Sequence, residues 1–144
     1  MAKSEKQKLK LLYIIQCLME KTDEEHAVTT QEIIDYLALQ GITAERKSIY
    51  TDIDLLIDFG MDIIKKPGRS GGYTLASRQF ELAELKLLVD AVQSSKFITT
   101  KKSRELIGKL ETLCSKYEAT QLHRQVVVTN RNKAVNENIY YNVD

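Results

Sequence analysis

Only three residues, Gly41-Ile42-Thr43, separate two segments whose apolar residues recur at helical spacing. A connection this short permits only a tight corner between two helices. Before the corner, Thr29-Thr30-Gln31-Glu32 has the form of a capping box, so the earlier helix is expected to begin near Thr30 and to end at the glycine. After the corner, Thr43 is expected to cap a later helix of about residues 43–59. This corner constrains the fold more than any other feature of the sequence.

The segments on either side of this helix pair complete a characteristic order of elements. Residues from Ser4 to Lys21 carry apolar side chains at helical spacing and predict a first helix. After the third helix, which Gly60 is expected to end, two β-prone segments, Asp62–Lys66 and Gly72–Ala76, flank a loop of turn-forming residues. Three helices followed by a β-hairpin, the wing at about residues 62–76, are typical of a winged helix-turn-helix domain.

The rest of the chain is predicted to be a helical extension and a tail. Apolar spacing predicts a fourth helix over residues 80–95 and a fifth over 99–116, and this pair holds more apolar residues than two isolated helices can bury. Gln125–Thr129 and Ile139–Val143 favour strands. The predicted fold class is therefore mainly α, a winged helix-turn-helix with a helical extension and a short β-prone tail.

Three parts are expected along the chain of 144 residues. They are a winged helix-turn-helix domain at 1–77, a helical extension that mediates dimerisation at 78–120, and a linker at 121–144 that leads into a further domain. Because the sequence closes on an apolar, aromatic run, we expect it to be the amino-terminal fragment of a longer protein.

The third helix is predicted to have one buried and one outward face. At about 100° per residue, the buried stripe holds Ile49, Ile53, Leu56 and Ile57. The outward face then carries side chains that can form hydrogen bonds: Arg46, Lys47, Ser48, Tyr50 and Thr51. Side chains of this kind in the amino-terminal half of such a helix can read base edges in the major groove of DNA.

Charge is distributed unevenly, although the whole chain carries a formal charge of only +1. Residues 21–45 hold one basic and six acidic residues, a net charge of −5, whereas residues 46–78 hold six basic and four acidic residues, a net charge of +2. In the third helix the acidic residues Asp52, Asp54 and Asp58 follow the basic start and are expected to lie where the helix leaves the DNA. A polyanion is therefore expected to bind one local face.

That face is predicted to combine the wing with the starts of the first three helices. Lys65, Lys66 and Arg69 surround the wing and are candidate contacts to the DNA backbone. Thr29 and Thr30, at the start of the second helix, are also candidate DNA contacts. The lysines of the first helix are expected to add a further phosphate contact: Lys3, Lys6, Lys8 and Lys10. The predicted partner is double-stranded DNA.

Three stretches of the sequence resemble the amino-terminal portion of bacterial transcriptional regulators of the WYL-domain family: Gly41–Gly60, Gly71–Leu75 and Asn136–Asp144. The winged helix of that family is related to that of the DeoR-type repressors. With the intervening helices, the likeness spans nearly the whole chain. It implies a sequence-specific regulator in which the outward residues of the third helix read DNA and the wing cations hold the backbone. Thr51 stands where family members often have a basic residue. The family's closing stretch leads into a ligand-sensing domain that this sequence lacks, and an effector is expected to bind there.

Two quaternary arrangements are consistent with these patterns. As a regulator, the chain is expected to be a homodimer joined through the helices at 80–95 and 99–116, with its third helices roughly 34 Å apart in successive major grooves. The alternative function is a protein-interaction module, in which the winged helix is a scaffold and the same two helices bind a partner.

Other chemistries find little support in the sequence. His26 follows the consecutive acids Asp23-Glu24-Glu25, which predicts a solvated loop rather than a metal site, and His123 has no neighbouring nucleophile. We therefore expect no enzyme activity, metal or cofactor. Cys17 and Cys114 lie in apolar helical patterns without ligand spacing, which favours a reducing, cytoplasmic setting. No segment approaches the roughly 18 apolar residues of a membrane span.

Overall fold

A computed structural model describes residues 2–68 and 71–129. Within these residues the elements are α1 (Ala2–Lys21), α2 (Thr30–Leu39), α3 (Arg46–Phe59), β1 (Ile63–Lys66), β2 (Gly72–Leu75), α4 (Leu82–Ser94), α5 (Thr100–Glu111) and α6 (Lys116–Thr129). The described chain is mainly α with one small antiparallel sheet, which confirms the predicted fold class. The chain divides after Ser77 into two compact units. None of the described helices is long and apolar enough to cross a membrane.

The core of the first unit is formed by the inner faces of α1, α2 and α3 together with the sheet. On α3 the structure buries Ile49, Ile53 and Leu56, as the helical spacing predicts. Ile57 is 38% exposed, so its assignment to the buried stripe is wrong. The reason is that Ile49 and Leu56 lie on the same side of Ile53 around the helix axis, whereas Ile57 lies on the other side and points away from the core.

The corner between α2 and α3 is longer than its sequence predicts. The capping box of α2 is confirmed, because Thr29 Oγ1 accepts from the amide of Glu32 while the Glu32 carboxylate accepts from the amide of Thr29. Gly41 adopts φ +79°, a left-handed conformation that often ends a helix and that glycine adopts at little conformational cost. Thr43 does not cap α3, contrary to expectation. The helix begins later, at Arg46, and its N-cap is Glu45, which makes no side-chain capping bond.

The wing is a two-stranded hairpin with a third, short pairing partner. β1 and β2 are antiparallel, with Ile63 opposite Leu75. Val28, in the loop before α2, pairs with Tyr73 through two backbone hydrogen bonds of 3.0 and 2.7 Å. The amide of Leu75 also donates to Thr22 Oγ1 at 3.0 Å. These bonds fasten the returning strand of the wing to the loop that leads into α2.

Two adjacent glycines, where the turn of the wing leads into β2, are required by close backbone approach. A Cβ on Gly72 would lie 2.1 Å from the carbonyl oxygen of Val28, and the residue also has φ +147°. A Cβ on Gly71 would lie 2.1 Å from the carbonyl oxygen of Lys66. Any larger residue at either position would therefore have to displace backbone.

The second unit has its own core where α4, α5 and α6 meet, built from Leu85, Val89, Ile107, Cys114 and Leu122. The fifth helix, predicted at 99–116, is shorter than expected, because α5 ends at Glu111. A further helix, α6, begins at Lys116. The strand predicted at Gln125–Thr129 is also wrong, since this segment belongs to α6. Val126, within this segment, packs against the second core from the helix, so tertiary packing overrides the local β propensity. The strand predicted at Ile139–Val143 lies outside the described residues.

Both cysteines are buried packing residues with free thiols. Cys17 lies in the first core and Cys114 in the second. Burial raises the pKa of the Cys17 thiol to about 11, because desolvation penalises the thiolate. The Cys17 thiol is therefore protonated and unreactive near neutral pH.

Candidate nucleic-acid interface

The amino-terminal half of α3 presents an exposed polar face. Arg46, Lys47, Tyr50 and Thr51 are exposed there, and Tyr50 retains 47% of its accessible surface. The hydroxyl of Thr51 donates to the carbonyl of Lys47 at 3.2 Å, a local bond that leaves lone pairs on the oxygen open to solvent. Four of the five side chains predicted to point outward therefore do so.

The fifth, Ser48, is half-buried and bonded within the protein. Its hydroxyl donates to the carbonyl of Glu45 at 3.0 Å and accepts from Lys10 Nζ at 2.8 Å. Lys10 is itself only 8% exposed, and its Nζ lies 2.7 Å from Asp52 Oδ2. The expectation that Lys10 contacts phosphate is therefore wrong, and Asp52 faces α1 through this ion pair. Instead, these three side chains, the Lys10 cluster, join α1 to α3.

The start of α2 offers backbone donors beside this face. The capping box uses the amide of Glu32 and the hydroxyl of Thr29, while the amides of Thr30 and Gln31 have no acceptor among the described residues. The first amides of a helix lack intrahelical partners and lie at the positive end of the helix dipole. They form a region that favours an anion.

The wing supplies two described cations, each with a contact inside the unit. Lys65 Nζ lies 2.7 Å from Asp54 Oδ1 on α3, and both side chains are more than half exposed. The hydrogen bond to Asp54 is the main cause that raises the pKa of Lys65 above its ordinary value. Lys66 Nζ donates to the carbonyl of Glu24 at 3.5 Å. Arg69, the third predicted wing cation, lies outside the described residues.

A cleft of about 500 Å³ lies between the start of α2, the start of α3 and the wing. Five of the predicted site residues line it: Thr29, Thr30, Arg46, Lys65 and Lys66. Arg46 Nη2 donates to Gln31 Oε1 at 3.4 Å across the wall of the cleft. Three cations and the amino-terminal end of a helix thus face one open space, an arrangement suited to a phosphate group.

The predicted residues fall into distinct sets. The cleft collects the five named above, and the exposed face of α3 beside it carries Lys47, Tyr50 and Thr51. Ser48 lies in neither set because its hydroxyl is bonded to Lys10 and Glu45. Of the α1 lysines, Lys6 and Lys8 are exposed. The side chain of Lys3 lies outside the described residues.

Sequence reasoning missed two parts of this region. Gln31 lies two residues after the capping Thr29, and its position in the first turn of α2 would have placed it beside the cleft. The Lys10 cluster had a weaker signal. Lys10 precedes Ile14 by four residues and Cys17 by seven, so helical spacing places it on the buried face of α1, where a lysine buries at least its stem.

A family model for the D3 domain of FokI matches residues 12–68. That domain is a DNA-binding, winged-helix-like domain. The matched residues run from α1 to the turn of the wing and include the start of α2, all of α3 and both wing lysines. No curated protein and no solved structure matches the chain significantly. The match supports a DNA-binding winged helix in the first unit and DNA as its partner.

Proposed function

We propose that this protein is a sequence-specific, double-stranded DNA-binding regulator of transcription. The observation that carries the proposal is the cleft, where Arg46, Lys65 and Lys66 meet the start of α2 directly beside the exposed face of α3. The match to a DNA-binding domain over residues 12–68 supports the partner. The resemblance to WYL-family regulators, carried by Gly41–Gly60 and Gly71–Leu75, supports the regulatory role.

In this proposal the cleft holds the DNA backbone. A phosphate in the cleft accepts from the amides of Thr30 and Gln31 and from the guanidinium of Arg46, while Lys66 contributes a compact positive charge. Such contacts fix the orientation of the protein on the duplex but carry no sequence information. They predict binding that weakens steeply as salt rises.

Sequence is read by the exposed face of α3 in the major groove. Lys47 is suited to the acceptors of guanine, and the Thr51 methyl and hydroxyl can contact either a thymine methyl or a base acceptor. Tyr50, with half its surface exposed, can lie against the sugar-phosphate wall of the groove. The proposed role is binding, and no step of it requires catalysis or a cofactor.

The test is selection from a pool of random duplex DNA, followed by titration of the selected and a scrambled duplex at two salt concentrations. We expect one enriched motif and an affinity whose logarithm falls linearly with the logarithm of salt concentration. Arg46→Ala should reduce the magnitude of the salt slope by about 1, whereas Lys47→Ala should mainly lower the preference for the selected duplex.

Lys109→Ala is the matched control, because Lys109 is an exposed lysine of α5 in the second unit. It should leave both the salt slope and the preference unchanged. Failure to enrich any motif, or equal effects of Arg46→Ala and Lys109→Ala, would contradict the proposed function.

The alternative, a protein-interaction module, draws on the second unit. Leu87 on α4 is 70% exposed and Phe97, just after α4, is 60% exposed, and such side chains are frequent in interfaces. The predicted homodimer through the same region remains a prediction. Analytical ultracentrifugation over a hundredfold range of concentration tests it, and a constant monomer mass would exclude it. A chain that ignores DNA but self-associates would favour the alternative.

A further inference from the structure

We infer that Lys10 is a positioning residue for DNA reading. Its bonds to Ser48 and Asp52 fix the rotation of α3 about its own axis and so set where Lys47 and Thr51 point. This inference rests on the proposed function for its DNA readout. It gives a role to the buried charge of Lys10 on α1, a helix that contributes none of the DNA contacts in the proposed function.

The Lys10 cluster connects α1 to α3 with a defined geometry. Lys10 Nζ lies 2.7 Å from the Asp52 carboxylate and 2.8 Å from the Ser48 hydroxyl, so one cation engages two side chains of α3. The Lys10 and Asp52 side chains retain only 10% and 14% of their accessible surface. The contact to Ser48 is a charge-assisted hydrogen bond, which is directional, and the contact to Asp52 is an ion pair that holds the same Nζ against α3.

The spacing of the two partners explains why rotation is what they fix. Ser48 and Asp52 are four residues apart and therefore lie one above the other on the same side of α3. Lys47 and Thr51 each precede one of them, so this reading row lies about 100° around the helix axis from the anchored row. A rotation of α3 that broke the bonds to Lys10 would turn the reading row by the same angle.

The apolar contacts of α3 determine which side of the helix faces the core, but they restrain its rotation less sharply than the contacts of Lys10 do. Ile49, Ile53 and Leu56 bury one stripe, and hydrophobic packing depends on area and volume rather than on direction. Buried ion pairs often add little net stability, and the best-supported reason for keeping one is conformational specificity. The Lys10 cluster has the geometry for that role at the helix that reads DNA.

The test compares Lys10→Met with the double variant Lys10→Met/Asp52→Leu. The single variant leaves Asp52 buried without its cation, whereas the double variant replaces the pair with apolar side chains and is expected to recover stability. In both variants we expect the ratio of affinities for the selected and scrambled duplexes to fall about tenfold, because reading geometry must be held within about half an ångström. The salt slope should not change, because Lys10 contacts no phosphate.

Lys109→Met is the matched control, since Lys109 is an exposed lysine of α5 in the second unit. It should leave the affinity ratio intact. An unchanged ratio in the folded double variant would overturn the inference. So would a salt slope reduced by about 1 in Lys10→Met, which would make Lys10 a direct phosphate contact.

A second measurement separates this inference from the proposed function. Residual dipolar couplings of backbone amides report the orientation of α3 relative to α1 without any DNA. A change of orientation in the double variant supports the positioning role, and an unchanged orientation overturns it. If the unmodified protein selects no duplex, the proposed function fails, and the dipolar couplings alone decide the role of Lys10.

Discussion

The two units bury apolar residues in the same way but differ in what their polar bonds do. In the first unit, Lys10 and Lys65 reach from α1 and β1 to carboxylates on α3. In the second unit, long-range hydrogen bonds run from Gln93 to the carbonyl of Val126, and from Gln125 to the carbonyl of Lys86 and the carboxylate of Asp90. The first unit thus holds charged side chains in fixed places, whereas glutamines satisfy backbone groups where the helices of the second unit meet.

This difference shows that packing alone does not make a binding site. Both units have a continuous apolar core. In the first unit, cations converge at a cleft beside a helix start, and ion pairs restrain the elements that carry them. The contrast predicts that damage to the first unit should abolish DNA binding, while truncation of a core residue in the second unit, which leaves its surface intact, should reduce stability alone.

The largest effect is expected from Gly72→Ala. The added Cβ would meet the carbonyl oxygen of Val28 at 2.1 Å in a conformation with φ +147°, so the wing has to separate from the loop before α2. We expect a loss of about 3 kcal/mol or more in the stability of the first unit. Hydrogen exchange should show lost protection in β1 and β2 with α4 to α6 unchanged.

Gly108→Ala is the control for this substitution, because a Cβ at Gly108 in α5 meets no atom within 4 Å among the described residues. It should stabilise the second unit by about 0.5–1 kcal/mol through helix propensity. Equal, small effects of the two substitutions would show that the close approach at Gly72 does not hold in solution.

A somewhat smaller effect is expected from Leu85→Ala in the second unit. Leu85 is fully buried in the second core, and its truncation should cost about 2–5 kcal/mol through lost burial and the cavity that remains. DNA affinity, measured by fluorescence anisotropy below the melting transition, should not change. A parallel loss of affinity would show that the second unit takes part in binding.

Lys66→Ala should leave stability intact and weaken binding. Lys66 is exposed, and its Nζ makes a long hydrogen bond of 3.5 Å to the carbonyl of Glu24, so little internal structure depends on it. We expect the magnitude of the salt slope to fall by about 1 with every duplex tested. A slope equal to that of the unmodified protein would remove Lys66 from the interface.

The smallest effect is expected from Asp54→Asn, and it has the opposite sign. Removing the carboxylate frees Lys65 from its ion pair and deletes a negative charge near the cleft, so affinity for all duplexes should rise by about threefold at low salt. The pKa of Lys65, followed by NMR, should fall toward its ordinary value because the bond to Asp54 raises it. Weaker binding would show that the ion pair itself is needed to place the wing.

Local signals in the sequence were sufficient for most of the fold. Helical spacing located α1 to α4, glycines marked the ends of α2 and α3, and turn formers located the wing. The start of α6 carried a signal that was overlooked. Ser115-Lys116-Tyr117-Glu118 has the form of a capping sequence, and the amide of Glu118 does donate to Ser115 Oγ at 3.1 Å.

The site was harder to predict because its geometry depends on contacts between distant residues. Exposure on α3 follows from helical periodicity, which is why Lys47, Tyr50 and Thr51 were placed correctly on the outer face. Periodicity places Lys10 on the same face of α1 as the buried Ile14 and Cys17, but it cannot identify the partner of Lys10, because Asp52 lies 42 positions along the chain. The backbone pairing of Val28 with Tyr73 is equally non-local, and no local sequence pattern predicts it.

That pairing between Val28 and Tyr73 has a thermodynamic consequence for any ligand of the cleft. Val28 directly precedes the cap of α2, and Tyr73 lies on the wing, so two backbone bonds join the opposite walls of the cleft. The hydrogen bond from the amide of Leu75 to the hydroxyl of Thr22 further joins β2 to the segment before α2. Walls that are joined before binding lose little conformational entropy on binding, so the cleft is pre-organised and association requires no prior ordering of the wing strands.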